Sequence, residues 1–446
     1  MKKIINNILI LTISAILIMF VFGCNTASQK NDPNRTYSEE TRDLPQNIQN
    51  KNNTDIQQPA APNSISDQDD NGQSLFDGEI ANPLPPLSEI VDSIEYIHLS
   101  NANGNPIGNI SEIKVTENFI FVNASSEAAL MFDRRGTFIR QIGAIGKGPG
   151  EYSQPLGIIP FEEDNVVAIY AYPLGDYMIY NLNGQFIKRL PRFSGRNPLP
   201  LNKDIVIGDA AGFFNRKWGF MVRAFNLNGD TVIDKRSHHE PLLNADAWRK
   251  LQYITNTTLV PYNSDTLLAY ELAIDTLFSF DGKALSPRYI LNLEGYGGNL
   301  LDRLSLVTEA IANRTTSLLS FFETTKYFFA VFVVSNRPWL VSFNKSTQEL
   351  CGAPYPLCFP ENVSIKLAST ENVTIENDVD GGPDIYPKQI MSSRIGVSWF
   401  YPYELKDLDN PMQKHTKNPL AQAQLSSMIN RIDIEGNPVV AILYFK

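Results

Sequence analysis

Short apolar runs alternate with polar residues along most of this chain, and they recur around a tight turn. The clearest copies are MFDRRGTFIRQIG (Met131 to Gly143), IYNLNGQFIKRL (Ile179 to Leu190) and AFNLNGDTVI (Ala224 to Ile233). Fainter copies are LFSFDGKAL (Leu277 to Leu285), VSFNKSTQEL (Val341 to Leu350) and RIDIEGNPVVAIL (Arg431 to Leu443). An Asn-Gly or Asp-Gly pair between such runs predicts a β-hairpin in which both central turn residues take positive φ. The copy at Arg135-Gly136 keeps only the glycine. Six copies of one hairpin unit predict a repeat architecture, and at this spacing an all-β propeller of six blades. Gly136, Gly184, Gly229, Gly282, Thr347 and Gly436 are separated by 48, 45, 53, 65 and 89 residues. The first three intervals suit four-stranded blades, and the last two must carry insertions.

Strand-like segments fill the intervals: SIEYIHL (Ser93 to Leu99), EIKVTENFIFVN (Glu112 to Asn123), NVVAIYAY (Asn165 to Tyr172), KYFFAVFVV (Lys326 to Val334) and NPVVAILYF (Asn437 to Phe445). The first and last of these are expected to meet in one blade and close the ring, removing exposed sheet edges. Two helical insertions are predicted between late blades. One is Leu301 to Thr324, from its apolar spacing; the other is Pro419 to Ile432, with proline in the first turn, where its missing N–H is harmless. A Pro- and Gly-bearing loop, Glu376 to Lys388, lies between them. The propeller is expected over residues 88–446.

What precedes it has a different composition. Lys2 and Lys3 lead into an apolar run from Ile8 to Phe22, broken by Thr12 and Ser14 and ending at Gly23-Cys24. This reads as an export signal over residues 1–24. The Gly-Cys ending resembles a bacterial lipobox, which implies acylation of Cys24 and a lipid bilayer as partner, although Val21 and Phe22 depart from the usual residues there. The alternative is an uncleaved anchor, for which the run is short against the roughly 20 residues a span needs. Residues 25–87, rich in Asn, Gln, Asp, Ser and Pro with Tyr37 and Phe76 as their aromatics, are expected to be a disordered tether. As a flexible coil it would span roughly 45 Å.

With Cys24 acylated, Cys351 and Cys358 remain as a pair, either disulfide-bonded in an oxidising envelope compartment or reduced and buried. The net charge of −10, without a Lys/Arg stripe, argues against nucleic acid and against electrostatic adhesion to anionic lipid.

Candidate chemistry is sparse. GAIGKGPGEY (Gly143 to Tyr152) looks like a phosphate loop, but the glycine spacing is wrong and no helix follows, which favours a blade crossover. Asp378, Asp380 and Asp384 around Gly381-Gly382 supply hard oxygens that could hold Ca²⁺, the one cofactor candidate. Their spacing is not that of an EF-hand, and an exposed acidic turn is the plainer reading. His238-His239-Glu240 lacks the four-residue spacing of a zinc helix, and His98 and His415 stand apart. Four histidines and no Gly-x-Ser-x-Gly elbow disfavour triad hydrolysis. No catalytic residue and no metal ligand is assigned.

Three segments together with the terminal NPVVAILYFK carry a resemblance: IVDSIEYIHLSNANGNPIGNISEIKV, FIRQIGAIGKGPGEYSQPLGI and NDVDGGPDIYPK. They resemble the six-bladed β-propeller lipoproteins of Bacteroides and relatives, and the Gly-Lys-Gly-Pro-Gly-Glu-Tyr stretch is similar to NHL-repeat blade junctions. The resemblance covers Ser88 to Lys446 and implies a fold and a cell-envelope address, expected at the outer membrane on either its periplasmic or its surface face, with no catalytic residue to carry over. Asp92-Ser93-Ile94, Asp230-Thr231-Val232, Asp265-Thr266-Leu267 and Asp275-Thr276-Leu277 resemble the O-glycosylation signal of such envelopes. The functional expectation is a tethered binding module for a glycan, peptide or envelope protein. Its site is expected at the channel mouth, from loops carrying Lys147, Glu151, Tyr152, Asp378, Asp380, Asp384 and Tyr386. The rival is a calcium-dependent hydrolase, lactonase or lyase in the channel, which requires several Asp, Glu or Asn side chains converging from different blades.

Overall fold

A computed structural model describes residues 73–74, 84–124, 127–172, 175–190, 193, 196–208, 220–238, 257–271, 274, 276–291, 317–334, 337–354, 374–408 and 416–446. Six antiparallel sheets form a ring, the six-bladed propeller that the repeated turns predict. Blades one to five are consecutive meanders over Ile110–Ile142, Gln154–Leu190, Arg196–Arg236, Thr257–Ile290 and Ser317–Pro354. Blade six takes Gln389–Ser392, Ile395–Phe400 and Val439–Phe445 from the carboxyl-terminal part and Val91–His98 from the other side of the chain. The expected clasp is therefore present, with Ile97 opposite Val440 and Glu95 opposite Ile442. A short helix α1, Leu87–Ile90, leads into it.

Burial follows strand position. Second and third strands pack on a neighbouring blade at both faces, so they are apolar almost throughout: Phe119–Ala124 and Val439–Phe445 are buried at nearly every residue. Outer strands meet water and alternate, as in Thr231–Arg236. The core is accordingly a series of wedges between blades. Ile113, Val122 and Leu130 of blade one meet Val397, Val440 and Ile442 of blade six, while Phe121 and Met131 meet Ile158 and Val167 of blade two.

The turns differ from the expected pattern. In the first three hairpins only the glycine has positive φ: Gly136 (82°), Gly184 (78°) and Gly229 (92°). Gly184 N–H donates to the Asn181 carbonyl at 2.9 Å, and Asn181 N–H donates to Gln185 O at 3.0 Å. This is a type I turn followed by a left-handed residue, and the ladder slips by one between Ile179 and Tyr180. Asn181 Oδ1 also accepts from Gln185 N–H at 3.0 Å, so the polar residue before the turn braces it. In blade five the left-handed residue is Gln348, one position after Thr347. The sixth copy is not a hairpin: Gly436 turns the chain from a helix into Val439–Phe445. Blade six has no hairpin there because its outer strand arrives from Val91–His98.

The two helical expectations fare differently. Helix α2, Pro402–Lys406, precedes α3, Pro419–Arg431, which starts as expected with proline at its first turn. Asn418 Oδ1 caps α3 by accepting Ala421 N–H at 3.1 Å, and Leu425 and Ile429 bury beside Leu405. Ser317–Glu323, by contrast, is the first strand of blade five, not the end of a helix. Its apolar residues fit either period, and pairing with Tyr327–Val334 makes it a strand. Residues 301–316 lie outside the described set. Within the stretch read as a tether, Gln73–Ser74 runs parallel to the outer strand of blade four, opposite Tyr289 and Ile290.

Candidate functional site

The first strand of every blade faces the middle of the ring, and together they line a cavity of about 460 Å³. Its walls are chemically divided. The charged groups fall on one side, where blades six and one contribute Lys388, Gln389, Glu112 and Lys114 beside the apolar Ile390 and, from blade two, Leu156; blades three to five contribute Leu199, Leu259, Val260, Pro261 and Phe321, with Ser320 as the polar residue there. Lys114 is 9 % exposed, and its Nζ stands 2.9 Å from Glu112 Oε1. Glu112 Oε2 also accepts Ile158 N–H at 2.8 Å, tying blade one to blade two. On the other flank, Gln389 Oε1 accepts Ile113 N–H at 3.0 Å, tying blade six to blade one. Lys388 Nζ donates to the Trp399 carbonyl at 3.0 Å and lies 4.8 Å from the centre of its ring.

The loop residues expected at the channel mouth form two separate groups. In the first, Lys147 and Glu151 are exposed and Tyr152 is buried. The Tyr152 hydroxyl donates to the Ile142 carbonyl and accepts Ala129 N–H at 2.9 Å, so it is a bolt between blades one and two. Burial pushes that phenol far above the ordinary range. Glu151 Oε2 accepts Gly148 N–H at 2.7 Å, and a Cβ at Gly146 would collide with the same carboxylate. The glycine loop is thus filled by the chain's own anion, as a crossover and not a phosphate cradle.

The second group shows where the aspartates go. Asp378 accepts Ser88 N–H at 2.8 Å and the Ser88 hydroxyl at 2.6 Å, and Asp384 Oδ1 accepts Asn377 N–H at 3.0 Å. Asp380 is 1 % exposed. Its Oδ1 accepts from Asn377 Nδ2 at 2.8 Å, Gly382 N–H at 3.0 Å and Tyr96 Oη at 3.3 Å. Tyr386 is buried, with its hydroxyl 3.3 Å from Ser320 Oγ and its ring on Phe322. A Cβ at Gly382 would fall 2.9 Å from Leu425 Cδ2, so this loop is clamped between the closing strand and α3. Among the described residues no group of three His, Cys, Asp or Glu is placed to hold a metal ion. The three aspartates accept from the protein's own donors, Asp378 from Ser88, Asp384 from Asn377 N–H and Asp380 from Asn377, Gly382 and Tyr96, and do not converge on one point as Ca²⁺ ligands would.

Burial raises the Asp380 carboxyl above its ordinary range, against the hydrogen bonds it accepts. The folded state therefore holds this proton more tightly than the unfolded chain does. The resulting stability is complete below the ordinary carboxylate pKa and is lost as pH rises through the raised value. Asp380→Asn keeps an accepting oxygen without the charge. We expect its Tm relative to the parent to rise as pH increases above the ordinary carboxylate range of about 4, measured by thermal melts. A pH-independent difference would contradict this.

The remaining sequence candidates lie apart. His238 Nδ1 is 3.0 Å from Glu271 Oε2, and its ring stacks on Phe278, which bridges blades three and four. Ser93 and Thr231, of the glycosylation-like motifs, are exposed on outer strands. Cys351 is a half-buried thiol whose pKa is raised by burial and then by Glu349. Cys24, Cys358, His239 and His415 lie outside the described residues. The channel pair Glu112 and Lys114, with Gln389, was missed by sequence reasoning. Its available signal was two opposite charges two residues apart in a first strand, on one face of the sheet.

The ring and its channel define a six-bladed β-propeller. Residues 79–444 match the model of a family described as a domain of unknown function, DUF4934, and the chain belongs to that family. Its structure is similar to a candidate exported protein of Bacteroides fragilis, with a TM-score of 0.58 and 16 % identity. That match covers 84 % of this chain and 99 % of the other. A DUF4221-family member from Bacteroides vulgatus matches at a TM-score of 0.37 and 10 % identity, over 60 % of this chain and 87 % of the other. No curated protein matches the sequence. Among the described residues no helix is long and apolar enough to cross a membrane.

Proposed function

We propose that the chain is a lipid-anchored cell-envelope propeller that binds a ligand in its central channel. The observation that carries this is the cavity of about 460 Å³ to which all six blades contribute, a volume within the range of small-molecule sites. Its mixed walls, apolar on one side and polar on the other, suit capture and orientation without chemistry. Among the described residues one carboxylate, Glu112, lines it, and that group is already paired with Lys114. The anchor is supported by the basic start, apolar run and Gly23-Cys24 ending, and the envelope address by the likeness to a Bacteroides candidate exported protein. Acylated Cys24 would hold the head to the membrane on a long leash, with more than one chain needed for stable anchoring.

Gly157 offers a direct test, because a Cβ there meets nothing closer than Pro198 Cγ at 3.5 Å while a large side chain would fill the channel. Native mass spectrometry of the full chain taken from its own envelope should show a retained small-molecule adduct, absent from Gly157→Phe. The same preparation should carry labelled palmitate that Cys24→Ala loses. No adduct in the parent, or the same adduct in the blocked variant, would overturn the channel site; a palmitate label that survives Cys24→Ala would overturn the anchor.

A further inference from the structure

The charged wall of the channel has a surplus of donors. Lys114 brings three N–H groups and, among the described residues, has one side-chain partner, Glu112. Glu112 is itself shared with Ile158 N–H. A largely buried ammonium with unused donors is unfavourable unless something supplies acceptors. Gln389 adds to the surplus. Its amide is oriented by Ile113 N–H, which must meet the oxygen, so Nε2 carries two donors that meet no partner among the described residues. Ile113 sits next to Lys114 in the same strand, which brings these donors to one corner of the cavity. Among the described residues Lys388 makes the lining charges two positive against one negative, inside a protein whose net charge is −10. Across the ring, Leu199, Leu259, Val260 and Pro261 present hydrocarbon.

From this division we propose that the channel ligand is a small carboxylate with an apolar body. The carboxylate accepts from Lys114 Nζ and Gln389 Nε2, and the hydrocarbon lies against Leu199 and Leu259. This rests on the channel being the binding site. Glu112 keeps Lys114 in place while the site is empty, and it competes with the ligand for the same ammonium. It also sets specificity, since a second anion beside it is tolerated only where Lys114 stands between them.

Titration calorimetry on the full chain in detergent tests this with three probes that share a phenyl-methylene body, phenylacetate, its isostere phenylacetamide and the cation phenethylamine, together with neutral cellobiose. Phenylacetate should bind at least about tenfold tighter than phenylacetamide, and phenethylamine should not bind. Lys114→Met should weaken phenylacetate about thirtyfold or more and leave phenylacetamide unchanged. Glu112→Gln should tighten phenylacetate, an effect that damage to the fold would not produce. Gln389→Leu, which leaves the ion pair intact, should weaken phenylacetate and, to a smaller extent, phenylacetamide, whose carbonyl accepts the same N–H. Equal affinity for the acid and the amide, or no loss in Lys114→Met, overturns the carboxylate assignment. The channel reading survives that result if Gly157→Phe abolishes binding of the amide or of cellobiose. It falls as well if no probe responds to Gly157→Phe.

Discussion

Removing residues 1–99 should yield an aggregating chain, whereas removing residues 1–83 should yield a folded, monomeric one. The difference is the strand Val91–His98, which covers the edge of Val439–Phe445. That edge belongs to VVAILYF, seven residues with no charge and no proline, the composition most prone to pairing with another copy. Val91, Ile97 and Leu99 are buried, each contributing roughly 1.5–3 kcal/mol. The strand also carries Glu95, whose Oε2 accepts from Arg134 at 3.0 Å and from Tyr444 Oη at 2.6 Å, tying blades six and one. Helix α1 adds Leu87 and Ile90 to the core, and Ser88 is held by Asp378. Losing residues 1–99 thus opens the ring, uncovers an edge and strips part of two wedges at once. Size-exclusion chromatography and circular dichroism of the two truncations separate the cases. A soluble, cooperatively melting 100–446 chain would show that the ring does not depend on its clasp.

The clasp was legible because both of its strands are long, apolar and placed near opposite ends of the repeat series. The blade count was legible for the same reason that the sixth hairpin was misread. The motif around Gly436 has the right turn residues, but a turn does not reveal whether a helix or a strand enters it. Ser317–Glu323 failed differently: SLLSFFE has no polar alternation because its strand lies inside a blade wedge, and continuous apolar runs suit either period. The aspartates of the Glu376 to Lys388 loop were visible as chemistry, yet their partners were not. Asp378 meets Ser88, which is 290 residues away. The channel was least legible. Lys114 and Glu112 look like ordinary solvated strand charges, and their corner is made by a glutamine bonded to a residue 276 positions earlier. Blade order around the ring, not local pattern, brings them together.

Glu323→Ala should lower stability by about 3–5 kcal/mol, the largest loss expected from one substitution. Glu323 is fully buried between blades four and five. It accepts both forks of Arg288, Nε at 2.6 Å and Nη2 at 2.7 Å, together with Lys345 Nζ at 2.8 Å and Tyr289 Oη at 2.9 Å. Arg288 also lies over the Tyr262 ring at 4.4 Å. One anion therefore bridges two cations, and its removal leaves both pressed together with a phenol lacking its acceptor. Burial alone would lower the Arg288 pKa, but the carboxylate overrides it and drives the guanidinium above its ordinary range. The network need not be worth that much in net. Replacing Arg288, Glu323 and Lys345 together with apolar residues of similar volume, and Tyr289 with Phe, should recover most of the loss, because the cost lies in stranding charges rather than in losing attraction. A Tm drop of about 5 °C for Glu323→Ala, largely restored in the multiple variant, is the expected result for a domain of this size. Equal destabilisation of both would mean that the pair attraction itself holds the two blades together, and a loss in Glu323→Ala below about 1 kcal/mol would mean that water reaches the site.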